Sequence, residues 1–187
     1  MSIIINADDF GREYSRNTAI NYSMINGYCS QASIMVNMND FTDEAVKLSK
    51  DNGYQDKVCL HLNLTLGKPL SKKITGTSLC DKNGFFKFNC VNEVLKTLKH
   101  NMRLKDILAI REECEAQIKK YLDYFEDSFL IESAQRYDIK GKSYIETPKK
   151  YYFSDLGLRN ARIHFRQLEQ THSMENVIYN ELRMRGY

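Results

Sequence analysis

The stretch that decides the architecture is IIINADDFG, residues 3–11. Ile3 to Asn6 reads as a short buried strand delivering a polar loop, with two adjacent carboxylates, Asp8 and Asp9, behind it. Gly11 permits a sharp turn directly afterwards. Working outward, residues 15–27 carry Ala19, Ile20, Met24 and Ile25 at helical spacing and stop at Gly27. Ala32 to Asn37 reads as a second buried strand, and residues 41–52 as a helix with Phe41, Ala45, Val46 and Leu48 on its apolar face. Lys57 to Leu64 alternates Val58, Leu60, Leu62 and Leu64 with Cys59, His61 and Asn63, which predicts a third strand. Residues 66–90 are loop-rich, and helical stretches are predicted over 91–101 and 104–124. A βαβαβ order implies a parallel sheet with right-handed crossovers and functional groups at the carboxyl ends of its strands.

Beyond this the pattern changes. Residues 128–137 and 144–153 read as strands around a turn at Lys140-Gly141-Lys142, and 172–185 as a closing helix. Eight of the twelve tyrosines lie from Tyr121 onward, and all five cysteines lie before Phe125. That shift puts a seam near residues 118–126, inside a helix, and divides the chain into 1–120 and 121–187.

Composition narrows the function. A chain of 187 residues that is 42% hydrophobic and 27% charged is globular rather than disordered. A net charge of +3 with 24 acidic residues gives no electrostatic case for nucleic acid, and Lys149, Lys150, Arg159, Arg162 and Arg166 read as solvated surface. No apolar run reaches the ~18–20 residues of a membrane span, and Met1-Ser2-Ile3 lacks the basic start of a signal peptide, so the chain reads as cytoplasmic. Cys29, Cys59, Cys80, Cys90 and Cys114 form no CxxC pair and read as isolated reduced thiols.

Two features carry chemistry. An aspartate pair after a strand can divide labour: one carboxylate on a hard or borderline metal, the other facing an attacking water, as metal-assisted hydrolysis needs. The same pair would also serve as plain caps of a loop or helix. His61 lies among apolar residues, with Asn63 on the same face by the two-residue period. It is either a hydrogen-bonded core histidine or, with the aspartates, part of a shared site.

These residues resemble the YdjC-like carbohydrate deacetylase family. The likeness runs through NADDFG at 6–11, Asn17, Ala19 and Ile20, Gly27, SIMVNM at 33–38, HLNLT at 61–65 with Gly67, Lys68 and Pro69, SLCDKNGFF at 78–86, and Glu115-Ala116-Gln117. It covers roughly residues 1–120 in unbroken order. It implies an α/β fold, a truncated and distorted (β/α) barrel of parallel strands with a small α+β appendage at the carboxyl end. It also implies a hydrolase of linear amides that removes acetyl groups from N-acetylated oligosaccharides such as chitooligosaccharides. By position Asp8 would be the general base, and Asp9 and His61 the ligands of one divalent cation, Mg²⁺ ahead of Zn²⁺ or Co²⁺. The family's remaining histidine ligand comes from a His-rich motif after the 104–124 helix. Here only His164 and His172 follow, neither in a matching context, so two of three protein ligands are expected and activity is in doubt. No membrane or nucleic-acid partner is expected, and a homodimer is allowed for.

The segment from Tyr121 to Gln167, followed by HSMENVIYNELRMRGY at 172–187, resembles the C-terminal region of prokaryotic AAA-type ATPases. No GxxxxGK[ST] loop exists anywhere, so ATP binding does not carry over. The alternative to an enzyme is therefore a non-catalytic fusion fragment or interaction module. The two resemblances together read as a chimera.

Overall fold

The computed structural model describes residues 3–88, 92–96, 103–138, 140–141, 143–162 and 170–187. The chain forms two compact units, residues 1–122 and 123–187.

In the first unit, strands β1 (Asn6–Phe10), β2 (Gln31–Ile34) and β3 (Val58–Leu60) lie parallel in the order β1-β2-β3. Helices α1 (Tyr14–Ile25) and α2 (Asp40–Asp51) connect them. The expected βαβαβ order and parallel sheet are thus present. The described strands make an open three-stranded sheet, and the expected barrel closure is not among them. Phe10, Ala32, Ile34 and Val58 of the strands and Ile20, Met24 and Ala45 of the helices are buried, with α1 lying against β1, β2 and α2. A second core lies below the long loop: Ile74, Leu79, Cys80, Phe86 and Val94 pack with Ala109 of α3 (Leu104–Asp127).

Three expectations are corrected. The first strand begins at Asn6 rather than Ile3, and Ile3, Ile4 and Ile5 are exposed rather than buried. β1 is at the edge of the described sheet and its pairing with β2 starts at Asn6↔Gln31. The Ile5 carbonyl still accepts from the Ser30 N–H at 2.8 Å, but among the described residues no strand covers the isoleucine side chains. On α2 the buried residues are Thr42, Ala45 and Ser49, whereas Phe41, Val46 and Leu48 are only half-buried. Small residues face the sheet because the helix comes close: Thr42 Oγ1 donates to the Met35 carbonyl at 2.8 Å. The third strand stops at Leu60, so His61 and Asn63 lie beyond it, where the two-residue period no longer applies. Of the helix expected over 91–101, residues 92–96 are helical and the rest falls outside the described residues.

In the second unit β4 (Ile131–Asp138) and β5 (Ser143–Phe153) pair antiparallel, with Ile131 opposite Phe153 and Asp138 opposite Ser143. Helix α4 (Leu156–Arg162) and helix α5 (Gln170–Met184) follow. The hairpin and closing helix match the sequence reading. α4 was not expected, although its signal is present: Asp155 caps it, its Oδ1 accepting from the Leu158 N–H at 2.7 Å. Asn176 of α5 binds both backbone groups of Phe153, and the Tyr152 and Tyr179 rings stack at 4.0 Å. Among the described residues no helix is long and apolar enough to cross a membrane.

Candidate functional site

The site is set by an irregularity in β1. Ala7 pairs with Ala32 and Phe10 with Ile34, so β1 holds one more residue than β2 across this span. The bulge contains Asp8 and Asp9, and Asp9 takes the left-handed conformation at φ 66°. In a regular strand adjacent side chains point to opposite faces. A bulge with a left-handed residue re-aims them, at a backbone cost of order 1–3 kcal/mol that the surroundings must hold in place. Here they do. Gly11 follows at φ 84°, where a Cβ would lie 2.9 Å from the Met35 carbonyl oxygen, so only glycine fits. Its N–H donates to Asn17 Oδ1 at 2.7 Å, and the buried Asn17 amide donates on to the Phe41 carbonyl and Glu44 Oε2. Thus α1 and α2 together clamp the turn behind the aspartates.

As a result both carboxylates reach one imidazole. His61 follows β3, its N–H donating to the Ile34 carbonyl at 2.8 Å. Asp9 Oδ1 lies 3.8 Å from His61 Nε2, both side chains being about 30% exposed. Asp9 Oδ2 pairs with Arg12 at 3.1 Å, and Arg16 stands at 3.9 Å. Asp8 reaches the other side of the ring through Ser33 of β2: Ser33 Oγ donates to Asp8 Oδ1 at 2.7 Å and lies 3.3 Å from His61 Nδ1. Asn6 Nδ2 also donates to Asp8 Oδ1, at 2.6 Å. Among the described residues no donor engages Asp8 Oδ2, and Asp8 itself is exposed to solvent. The sequence-predicted Asp8, Asp9 and His61 therefore meet at the carboxyl ends of three neighbouring parallel strands, where ligands of open α/β sheets bind.

Asn63 does not join them. Its side chain is buried and holds the loop after β3, donating to Asn37 Oδ1 and the Leu66 carbonyl and accepting from the Thr65 and Leu66 N–H groups. Gln117 of α3 binds both the N–H and the carbonyl of Asn63, at 2.9 and 2.7 Å. Glu113, also fully buried, accepts from the Leu70 and Ser71 N–H groups and from the Gln117 amide. These buried bonds fix the chain beyond His61. Sequence reasoning gave Ser33 and Gln117 no part in the site, although both stand in the stretches that carry the resemblance. The available signal for Ser33 was a hydroxyl at a buried position of a central strand, where an apolar side chain would otherwise stand.

A carboxylate oxygen and an imidazole nitrogen facing each other are donors that divalent cations take. Among the described residues no group of three such side chains is poised to hold one, so the pair offers two donors. Cys29, Cys59, Cys80 and Cys114 form no disulfide among the described residues, and burial pushes the Cys80 thiol up to about 11 and the Cys114 thiol upward. Cys90 and His164 lie outside the described residues.

Comparison with known proteins places this geometry. A family model described as YdjC-like protein matches residues 2–126. A second, described as Domain of unknown function (DUF8612), matches residues 95–169. The chain is 34% identical over 121 residues to a carbohydrate deacetylase of Thermoanaerobacter pseudethanolicus, covering 63% of this chain and 43% of that one. It is 35% identical over 126 residues to a carbohydrate deacetylase of Clostridium beijerinckii, covering 66% and 45%. An uncharacterized protein of Haemophilus influenzae is 43% identical over 70 residues, 37% of this chain and 18% of that one. The chain thus spans less than half the length of these relatives. Its fold is similar to the crystal structure of a candidate cellobiose-phosphate cleavage protein from Enterococcus faecalis, with a TM-score of 0.51 and 23% identity over 65% of this chain and 43% of that one.

Proposed function

The chain belongs to the YdjC-like family, and from that premise we propose that residues 1–120 are the amino-terminal part of a carbohydrate deacetylase, built on part of a distorted (β/α) barrel and acting on N-acetylated oligosaccharides. The observation that carries this reading is the approach of Asp8 and Asp9 to the two ring nitrogens of His61, one directly and one through Ser33. Asp8 is the general base. Its Oδ1 is held by Asn6 and Ser33, which leaves Oδ2 to take the proton of a water attacking the acetamide carbonyl. The carbon–nitrogen bond then breaks, the sugar nitrogen takes a proton, and acetate and a free amine leave. Asp9 and His61 would hold the divalent cation, Mg²⁺ ahead of Zn²⁺ or Co²⁺, which supplies Lewis-acid polarisation of that carbonyl.

With two protein donors among the described residues, weak cation binding and slow or absent turnover are expected. The test is acetate release from N-acetylated chitooligosaccharides with excess Mg²⁺, Zn²⁺ or Co²⁺. Weak or absent turnover is expected. Robust turnover abolished by Asp8→Asn would show that a further donor completes the site. Robust turnover that survives Asp8→Asn would remove Asp8 as the base and sink the reading.

Residues 121–187 have a separate origin, as an appended module in a chimeric chain. The shift in tyrosine and cysteine usage near residues 118–126 and the division into two compact units at 122/123 support a join there. Amplification across this region from genomic DNA is expected to give one continuous reading frame, and two unlinked products would remove the chimera.

A further inference from the structure

We propose that Ser33 is a positioning residue that holds His61 in the tautomer with its proton on Nδ1, so that the bare Nε2 lone pair faces Asp9. The argument is an inventory of protons. A serine hydroxyl has one hydrogen to give and two lone pairs to receive with, and an ionised carboxylate can only receive. Ser33 Oγ has three neighbours: Asp8 Oδ1 at 2.7 Å, Asn6 Nδ2 at 3.3 Å and His61 Nδ1 at 3.3 Å. The shortest runs to a carboxylate oxygen and consumes the only hydroxyl hydrogen. The Asn6 amide donates into one lone pair of Oγ. The contact with the ring must then run inward, with Nδ1–H donating into the second lone pair.

The reverse assignment fails on distance. Were Ser33 to donate to Nδ1, its oxygen and Asp8 Oδ1 would face each other as two acceptors at 2.7 Å. A neutral imidazole carries one ring hydrogen, so a protonated Nδ1 leaves Nε2 unprotonated. Nε2 is the nitrogen that lies 3.8 Å from Asp9 Oδ1. Two lone pairs are thereby turned toward one another, an arrangement that a cation between them completes.

Position in the sheet explains why this task falls to β2. Asp8 belongs to β1 and His61 follows β3, while Ser33 lies on the strand between them, paired with Cys59. A side chain there can touch both neighbours, and at 8% exposure the hydroxyl is largely sheltered from competing water. The consequence for catalysis rests on the reading proposed above, because one hydroxyl orients both the base and the imidazole donor. The tautomer itself does not rest on it.

The test reads the ring nitrogens directly. The full chain, with ¹⁵N-labelled histidine and stripped of metal, is examined by long-range ¹H–¹⁵N correlation about two units above the ordinary imidazole value of about 6.5. His61→Gln assigns the signals. The expected result is a proton-bearing Nδ1 and a bare Nε2 at His61, loss of that preference in Ser33→Ala, and its return in Ser33→Thr. Co²⁺ affinity should fall about tenfold in Ser33→Ala, the lower end of what such outer contacts contribute. A proton on Nε2 in the wild-type ring overturns the proposal, even if the variants do not fold. So does a Ser33→Ala ring that keeps its Nδ1 proton. Because metal and substrate are absent from the tautomer measurement, its failure would leave the deacetylase reading standing, and failed acetate release would leave the tautomer standing.

Discussion

The parallel sheet of residues 1–122 and the hairpin of residues 123–187 are held together by different kinds of contact. In the first unit the decisive groups are fully buried and distant in sequence: Phe10, Asn17, Glu113 and Gln117 each show no exposed surface. In the second unit one buried side chain, Asn176, is joined by ties nearer the surface, among them Glu132 with Arg183, Lys150 with Glu175, and the stacked Tyr152 and Tyr179. Among the described residues the carboxylate–imidazole site lies in the first unit, and the reason is physical. A carboxylate pair and an imidazole can be kept in a strained, closely opposed arrangement only where a rigid interior behind them opposes relaxation. The difference predicts that single substitutions in the first unit are severe and local, whereas those in the second are mild and sensitive to salt and acid.

The largest effect is expected at Phe10. Its ring lies at the end of the bulged strand, fully buried, 6.4 Å from the Tyr54 ring. Phe10→Ala should cost about 4 kcal/mol through lost burial and the cavity left behind. Hydrogen exchange is the informative measurement. Amides of Ala32–Ile34 should exchange much faster, while those of β4 and β5 keep their rates. Equal acceleration in both units would break the contrast.

Next comes Glu113→Ala, which leaves the Leu70 and Ser71 N–H groups and the Gln117 amide without their acceptor in a buried place. The expected loss is about 3 kcal/mol, read from the midpoint of urea unfolding. Exchange protection of the Asn63–Leu66 segment should fall with it, because Gln117 would no longer be held against Asn63. Unchanged protection there would mean that the loop beyond His61 is fixed by other means.

In the second unit the counterpart is Asn176, whose side chain accepts from the Phe153 N–H at 2.8 Å and donates to its carbonyl at 2.7 Å. Asn176→Ala should cost about 2 kcal/mol, less than either change above, since Asn180 also donates to the Phe153 carbonyl. A loss as large as that of Phe10→Ala would place a true interior in the hairpin unit and erase the distinction.

Much of the first unit's order was legible because apolar runs of strand length alternate with apolar residues at helical spacing, and tertiary packing agreed with both. What was not legible depends on contacts that no local pattern encodes. Ile3, Ile4 and Ile5 look like a core strand, yet pairing begins at Asn6, on the polar residues of a bulge. Alternation through Leu64 suggested a long third strand, but the Asn63 side chain binds its own following backbone and ends it. Asp8, Asp9 and His61 stood out as candidates by residue type and strand position. Ser33 did not, because a serine in a strand has meaning only once its neighbours on β1 and β3 are known.

The smallest effect separates the units by pH. A hydrogen bond from Arg183, reinforced by one from Tyr179 and by the charge of Arg183, holds the Glu132 carboxyl below its ordinary value of 4.5. Lys150 first, then Tyr152, does the same for Glu175. Both carboxyls thus have lower values folded than unfolded, so the stability they add is present in full above the ordinary value. It is lost as pH falls from there through the depressed folded values. These groups are largely exposed, so the loss is slight and should be mimicked by high salt at neutral pH. The measurement is the thermal midpoint of the hairpin unit at pH 7 and below pH 4, in dilute and in concentrated salt, for the wild type and Arg183→Ala. The wild type should lose a little stability in acid and the variant less, because Glu132 has already lost its first partner. An acid response identical in the two chains would mean that the Glu132–Arg183 pair contributes nothing to holding α5 in place.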